Sequence, residues 1–146
     1  MRKNSRKVLL ARRSGFTLIE IMVVVVILGL LAALVVPRIG PQVAEAQRTT
    51  AATQIRSLED SLEMYRMHNG FYPSTQQGLD ALVTAPTTTP VPKHYQEGGY
   101  LKKVPDDPWG NPYVYRNSNG RITITSYGPD GEEGGEGVNA DISNED

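Results

Sequence analysis

The chain has 146 residues, about one domain's worth. Lys plus Arg number 15 against 16 Asp plus Glu, a formal net charge of −1, and there is no cysteine. Without thiols there are no disulfide frameworks, thiolate zinc sites or cysteine nucleophiles, and the balanced charge argues against a nucleic-acid binder, which carries a basic excess.

The totals conceal an uneven chain. Arg2, Lys3, Arg6, Lys7, Arg12 and Arg13 crowd the first 13 positions with no acid among them. From Phe16 to Val36 there follow 21 residues with one charge, Glu20. As a helix rising ~1.5 Å per residue, this run spans roughly 31 Å, about the hydrocarbon thickness of a bilayer. Basic residues ahead of a span stay in the cytosol, so the spacing predicts a single-pass protein with everything after Pro37 on the other side. A cleaved secretory signal is the rival reading, and Ala44-Glu45-Ala46 offers a small-x-small site. Against it, the apolar run is longer than a typical signal core, the alanines lie far beyond it, and Glu20 is foreign to such a core. A carboxylate in hydrocarbon costs several kcal/mol unless neutralised, paired or near the headgroups. Glu20 is therefore either a functional group or one shallow enough to snorkel.

Pro37, Gly40 and Pro41 should kink or loosen the helix, which resumes at Gln42. Ala51, Ile55, Leu58, Leu62 and Tyr65 then recur at steps of four, three, four and three, one apolar stripe, and Asn69-Gly70 is a helix stop. Ser74-Thr75-Gln76-Gln77 resembles a capping box opening a short helix through Leu79, Leu82 and Val83. Thr84–Pro92 is a Pro/Thr loop. Asp106–Pro112 has the composition of a rigid corner with Trp109 as its buried plug. Strands are predicted over Pro112–Arg116 and Arg121–Tyr127, joined by a hairpin turn at Ser118-Asn119-Gly120. Ile122 and Ile124 share one face of the second strand, Thr123 and Thr125 the other. The expected class is α+β, a long helix packed on a small antiparallel sheet.

From Gly128 to Asp146 there are seven acids and no basic residue: Asp130, Glu132, Glu133, Glu136, Asp141, Glu145 and Asp146. Carboxylates clustered on glycine-rich chain need solvent or a cation. Calcium suits such oxygen ligands, although no EF-hand pattern is present, and composition favours a solvated tail at least equally. His68 and His94 are isolated, and no nucleophile or phosphate-loop motif occurs, so the chain reads as a non-enzyme.

Arg12-Arg13-Ser14-Gly15-Phe16-Thr17-Leu18-Ile19-Glu20 resembles the class III leader of type IV pilins and pseudopilins. The resemblance implies cleavage between Gly15 and Phe16 by a prepilin peptidase and N-methylation of Phe16. It also implies that Glu20 pairs with a neighbouring subunit's N-terminal amine during assembly. Further segments are similar to the major pseudopilins of type II secretion systems: Gly70–Val83, Tyr100-Leu101, Val104–Tyr113 and Ser126–Gly131. Together they imply four regions: a cleaved leader (1–15), a transmembrane helix (16–36), its amphipathic continuation (37–69) and a periplasmic globular region (70–146). By the same resemblance the acidic loop binds structural calcium through Tyr127, Asp130, Val138, Asp141 and Ser143, with Asn139 standing where relatives often have aspartate. The implied protein sits in the bacterial inner membrane and polymerises into a periplasmic pseudopilus. Its partners would be its own copies, the minor pseudopilins, an inner-membrane assembly platform and, indirectly, the outer-membrane secretin. A minor pseudopilin or a membrane-tethered pilin-like binding subunit is the alternative.

Overall fold

The computed structural model describes residues 15–146, without the side chains of residues 34–41. Apart from Gly15, the basic leader lies outside the described residues. Helix α1 is Leu18–Asn69. Two units are distinguished along the chain, one ending at Gly40 and the other Pro41–Asp146.

In the first unit the helical residues from Leu18 to Ala33 are apolar apart from Glu20, and all of them are exposed. The large hydrophobic side chains from Phe16 to Leu31 are between 46% and 80% exposed. Among the described residues no helix is long and apolar enough to cross a membrane. The side-chain description of the 16–36 run ends at Ala33.

The second unit is built on the stripe. Ala51, Ile55, Leu58, Leu62 and Tyr65 are all buried, as the helical period requires of one face. Each full burial of a large aliphatic or aromatic chain is worth about 1.5–3 kcal/mol. The helix ends as expected at Asn69. Gly70 follows with φ 83° and donates its N–H to the Arg66 carbonyl at 2.7 Å, the left-handed closure that glycine adopts without strain.

The capping box forms, but not on an α-helix. The Gln77 N–H donates to Ser74 Oγ at 3.2 Å and the Ser74 N–H to Gln77 Oε1 at 2.9 Å. Gly78, at φ 63°, then turns the chain into the 3-10 helix Leu79–Leu82. This single tight turn puts Leu79, Ala81 and Leu82 into the core.

The sheet has three antiparallel strands in the order β1 (Val114–Ser118), β2 (Arg121–Ser126) and β3 (Ile142–Ser143). Ser118 pairs with Arg121, so the turn is the two residues Asn119 and Gly120, at φ 55° and 90°. Positive φ at both positions matches the right-handed twist of a hairpin, which explains the Asn-Gly pair. β1 starts two residues later than expected and runs to Ser118, because Pro112 makes only an isolated bridge to Asp106. β2 ends at Ser126, one residue early. β3, unforeseen, pairs Thr125 with Ser143 and Ser126 with Ile142. On β2 the alternation holds: Ile122, Ile124 and Ser126 are buried.

Around these elements Tyr113, Tyr115 and Ile142 complete the core. Pro73 is fully buried, and its carbonyl accepts from the Tyr115 hydroxyl and the Asn117 side chain, each at 2.8 Å. Beside it, Thr75 Oγ1 donates to the Asn117 carbonyl at 3.3 Å and accepts its N–H at 2.9 Å. The 106–112 corner is plugged differently from expectation. Trp109 is only half-buried, and Asp107 is the buried residue. The acid is tolerated there because both its oxygens are hydrogen-bonded.

Candidate functional site

At the N-terminal junction, Gly15, Phe16 and Thr17 precede the helix, and all are exposed. Thr17 Oγ1 accepts the Glu20 N–H at 3.3 Å, and Glu20 Oε2 accepts the Thr17 N–H at 3.4 Å. This reciprocal pair is a capping box, satisfying two otherwise orphaned donors at the helix start. Thr-x-x-Glu is the sequence signature of such a cap. Glu20 thus closes the first turn of its own helix.

The C-terminal loop is a second assembly of candidate residues. The β2–β3 register, carried one residue past the ladder, sets Tyr127 opposite Asp141. Gly128, at φ 71°, is buried against the opposite chain, where a Cβ would lie 3.6 Å from the carbonyl oxygens of Asn139 and Ala140. Gly135 comes closer: a Cβ there would stand 2.4 Å from the Asn139 oxygen, so only glycine fits. Asp141 Oδ2 accepts the Gly134 N–H at 3.0 Å, and the Asp141 N–H donates to the Gly134 carbonyl at 3.2 Å. Its other oxygen, Oδ1, is buried and has no hydrogen-bond partner. Arg48 of α1 donates to the Ala140 carbonyl at 2.8 Å, tying this stretch to the helix.

The remaining residues are placed less closely. Asp130 is exposed, and its Oδ1 accepts the Glu132 N–H at 3.3 Å within its own turn. Val138 lies in the 3-10 turn Gly137–Asn139 and is exposed. The Ser143 hydroxyl accepts the Glu145 N–H at 3.0 Å. Among the described residues no three His, Cys, Asp or Glu side chains are grouped as a metal site. Two acids of the loop are neutralised at the surface, Glu133 by Arg116 at 3.2 Å and Glu145 by Arg121 at 2.8 Å.

His68 and His94 are brought together only indirectly. The His68 ring meets the Tyr100 hydroxyl at 3.2 Å, while the His94 N–H donates to Asn69 Oδ1 at 3.1 Å. Both serve to close the end of α1.

A long N-terminal helix on a three-stranded antiparallel sheet, opening on Gly-Phe-Thr-Leu-Ile-Glu, defines a pilin-like subunit. Residues 10–36 match the prokaryotic N-terminal methylation motif, and residues 38–145 match the model of type II secretion system protein G. The type II secretion system core protein G of Vibrio cholerae is 52% identical over 135 residues, covering 91% of this chain and 92% of that protein. That of Pseudomonas aeruginosa is 54% identical over 135 residues, covering 91% and 95%. The crystal structure of the major pseudopilin from the type 2 secretion system of enterohaemorrhagic Escherichia coli is similar at a TM-score of 0.65 and 40% identity. It covers 71% of this chain and 87% of its own. The chain belongs to the type II secretion system protein G family, the major pseudopilins, whose members are structural subunits and not enzymes.

Proposed function

We propose that this subunit is cut between Gly15 and Phe16 by the prepilin peptidase, N-methylated at Phe16 and held in the inner membrane by residues 16–36. From there it polymerises into a periplasmic pseudopilus that drives folded proteins outward. The observation that carries this reading is the uncovered apolar helix of the first unit, whose large side chains from Phe16 to Leu31 are all at least 46% exposed. Such a surface is stable only against lipid or against other copies of itself. Leaving lipid for a filament exchanges one apolar surrounding for another, so the step is driven by helix packing and by the few polar groups present. Glu20 is the charged group available for that choice. In the filament it would leave Thr17 and take up a neighbour's N-terminal amine, setting register between copies. Minor pseudopilins, an inner-membrane assembly platform and a cytoplasmic ATPase would start and power growth toward the secretin.

We further propose that the acidic loop holds calcium. The unpartnered, buried Asp141 Oδ1 supports this, because a lone carboxylate oxygen out of water calls for a cation. Asp130 and Asp141, the carbonyls of Tyr127 and Val138, and Ser143 would be the ligands, all oxygen donors as calcium prefers. When bound, the ion would supply positive charge to a loop whose carboxylates otherwise repel one another.

The mass and N-terminal residue of the protein in a secreting strain test the first part. A chain beginning with N-methylated Phe16 is expected. A chain beginning after Ala46 would sink the filament reading and restore the secretory signal. Glu20→Ala should abolish filaments while subunit levels hold, and normal filaments would remove Glu20 from assembly.

A further inference from the structure

Asp107 is 5% exposed and Ser126 is fully buried, an acid and a hydroxyl placed inside the fold. Asp107 Oδ1 accepts the backbone N–H of Trp109 at 3.0 Å and of Asn111 at 2.8 Å, and its Oδ2 accepts the Ser126 hydroxyl at 2.6 Å. The Asp107 N–H donates to the Asn111 carbonyl at 2.8 Å, and the Gly110 N–H to the Asp107 carbonyl at 2.9 Å. The 106–112 corner is therefore folded around one carboxylate, and hydrogen bonds to an ionised acceptor are the stronger kind.

That corner also reaches outward to one residue. Ser126 Oγ, while donating to Asp107, accepts the Gly128 N–H at 3.2 Å. The Asn111 side-chain amide donates to the Gly128 carbonyl at 3.0 Å. Both backbone polar groups of Gly128 are thus held by the corner or by the serine bonded to it. The Asn111 side chain also lies beside Gly131, where an added Cβ would stand 3.4 Å from Asn111 Oδ1. Between Gly128 and Gly131 lie Pro129 and Asp130, and the Tyr127 carbonyl belongs to the peptide that ends in the Gly128 N–H.

We infer that Asp107, Asn111 and Ser126 are positioning residues: the 106–112 corner presets residues 127–131, and so governs how tightly the acidic loop takes a divalent cation. The inference rests on the calcium reading for its second half only. Glycine-rich chain loses much conformational freedom on ordering. A stretch ordered in advance meets none of that cost when it binds. None of the three residues is a ligand; each acts through Gly128.

The test uses the full-length protein in detergent micelles, comparing wild type, Ser126→Ala and Asn111→Ala. Amide hydrogen exchange of residues 127–131 is measured without calcium, and calcium affinity by titration calorimetry. Both variants should exchange faster at Gly128 while their exchange in α1 stays protected, and both should bind calcium about tenfold more weakly. Unchanged exchange at 127–131 overturns the inference whatever calcium does. Faster exchange with wild-type affinity overturns the claim that the corner governs binding. If wild type itself binds no calcium, the calcium reading fails, and the exchange measurement still decides whether the corner presets the loop. Should Ser126→Ala fail to fold, Asn111→Ala carries both measurements, because Asn111 is half-buried and its loss leaves the Asp107–Ser126 bond in place.

Discussion

The side-chain amide of Gln77 donates to the Thr88 carbonyl at 2.7 Å. The same nitrogen reaches the Pro90 carbonyl at 3.0 Å, so one buried glutamine pins the Pro/Thr loop that lacks any periodic structure of its own. Gln77→Ala removes these bonds and the partner of the Ser74 N–H together. It should lower stability by about 1–3 kcal/mol. Limited proteolysis should then cut within residues 84–92 where the parent resists; an unchanged digestion pattern would mean the loop is held by other contacts.

Tyr65 makes the opposite case, a buried hydroxyl with no hydrogen-bond partner. Burial, with smaller contributions from Tyr100 and Tyr95, pushes its phenol up from 10.0 to about 12. The folded state thus holds the proton more tightly than the unfolded chain. Its stability contribution is complete below pH 10.0 and is lost as pH rises through about 12. Tyr65→Phe should be no less stable at neutral pH and should flatten the alkaline part of a chemical-denaturation series. An equal alkaline loss in the variant would assign the effect to other tyrosines.

On the acid side, Glu63 is held below its ordinary 4.5, first by the Tyr72 hydroxyl and then by Arg66. A depressed carboxylate contributes stability that is present above 4.5 and disappears as pH falls through its lower folded value. Being exposed, the group contributes modestly. Glu63→Gln should make the denaturation midpoint less sensitive to pH just below 4.5, with little change at neutral pH. The same slope in both proteins would show that the pair has no part in acid unfolding.

Calcium should raise the melting temperature of the full-length protein in micelles, and chelation should lower it by the same amount. Asp130→Ala should remove the rise. Ligand linkage makes the shift grow with calcium concentration. A melting curve indifferent to calcium would exclude the loop as a cation site.

What could be read from the sequence depended on how local its cause was. The Ala51–Tyr65 stripe was legible because a helix repeats its buried face every three or four residues, and all five positions are buried. The hairpin was legible because Asn119-Gly120 meets a backbone demand that few residue pairs meet. β3 was not, since two residues carry no period and pair only because β2 is already there. The corner misled for a related reason. Trp109 looks like a plug by its hydrophobicity, but Asp107 is buried through a serine 19 residues away, which no local pattern announces. The acidic loop was legible as composition; the approach of Gly128 and Gly135 to Asn139 that shapes it was not.

Thr75 bears on the polymerisation proposed for the subunit. β1 lies at one margin of the sheet, where free backbone groups invite a strand from another molecule. By bonding both the N–H and the carbonyl of Asn117, Thr75 stands in for that missing strand with one hydroxyl. In the proposed filament, neighbouring copies are thereby denied one route to irreversible sticking through this edge, which leaves their association to other surfaces.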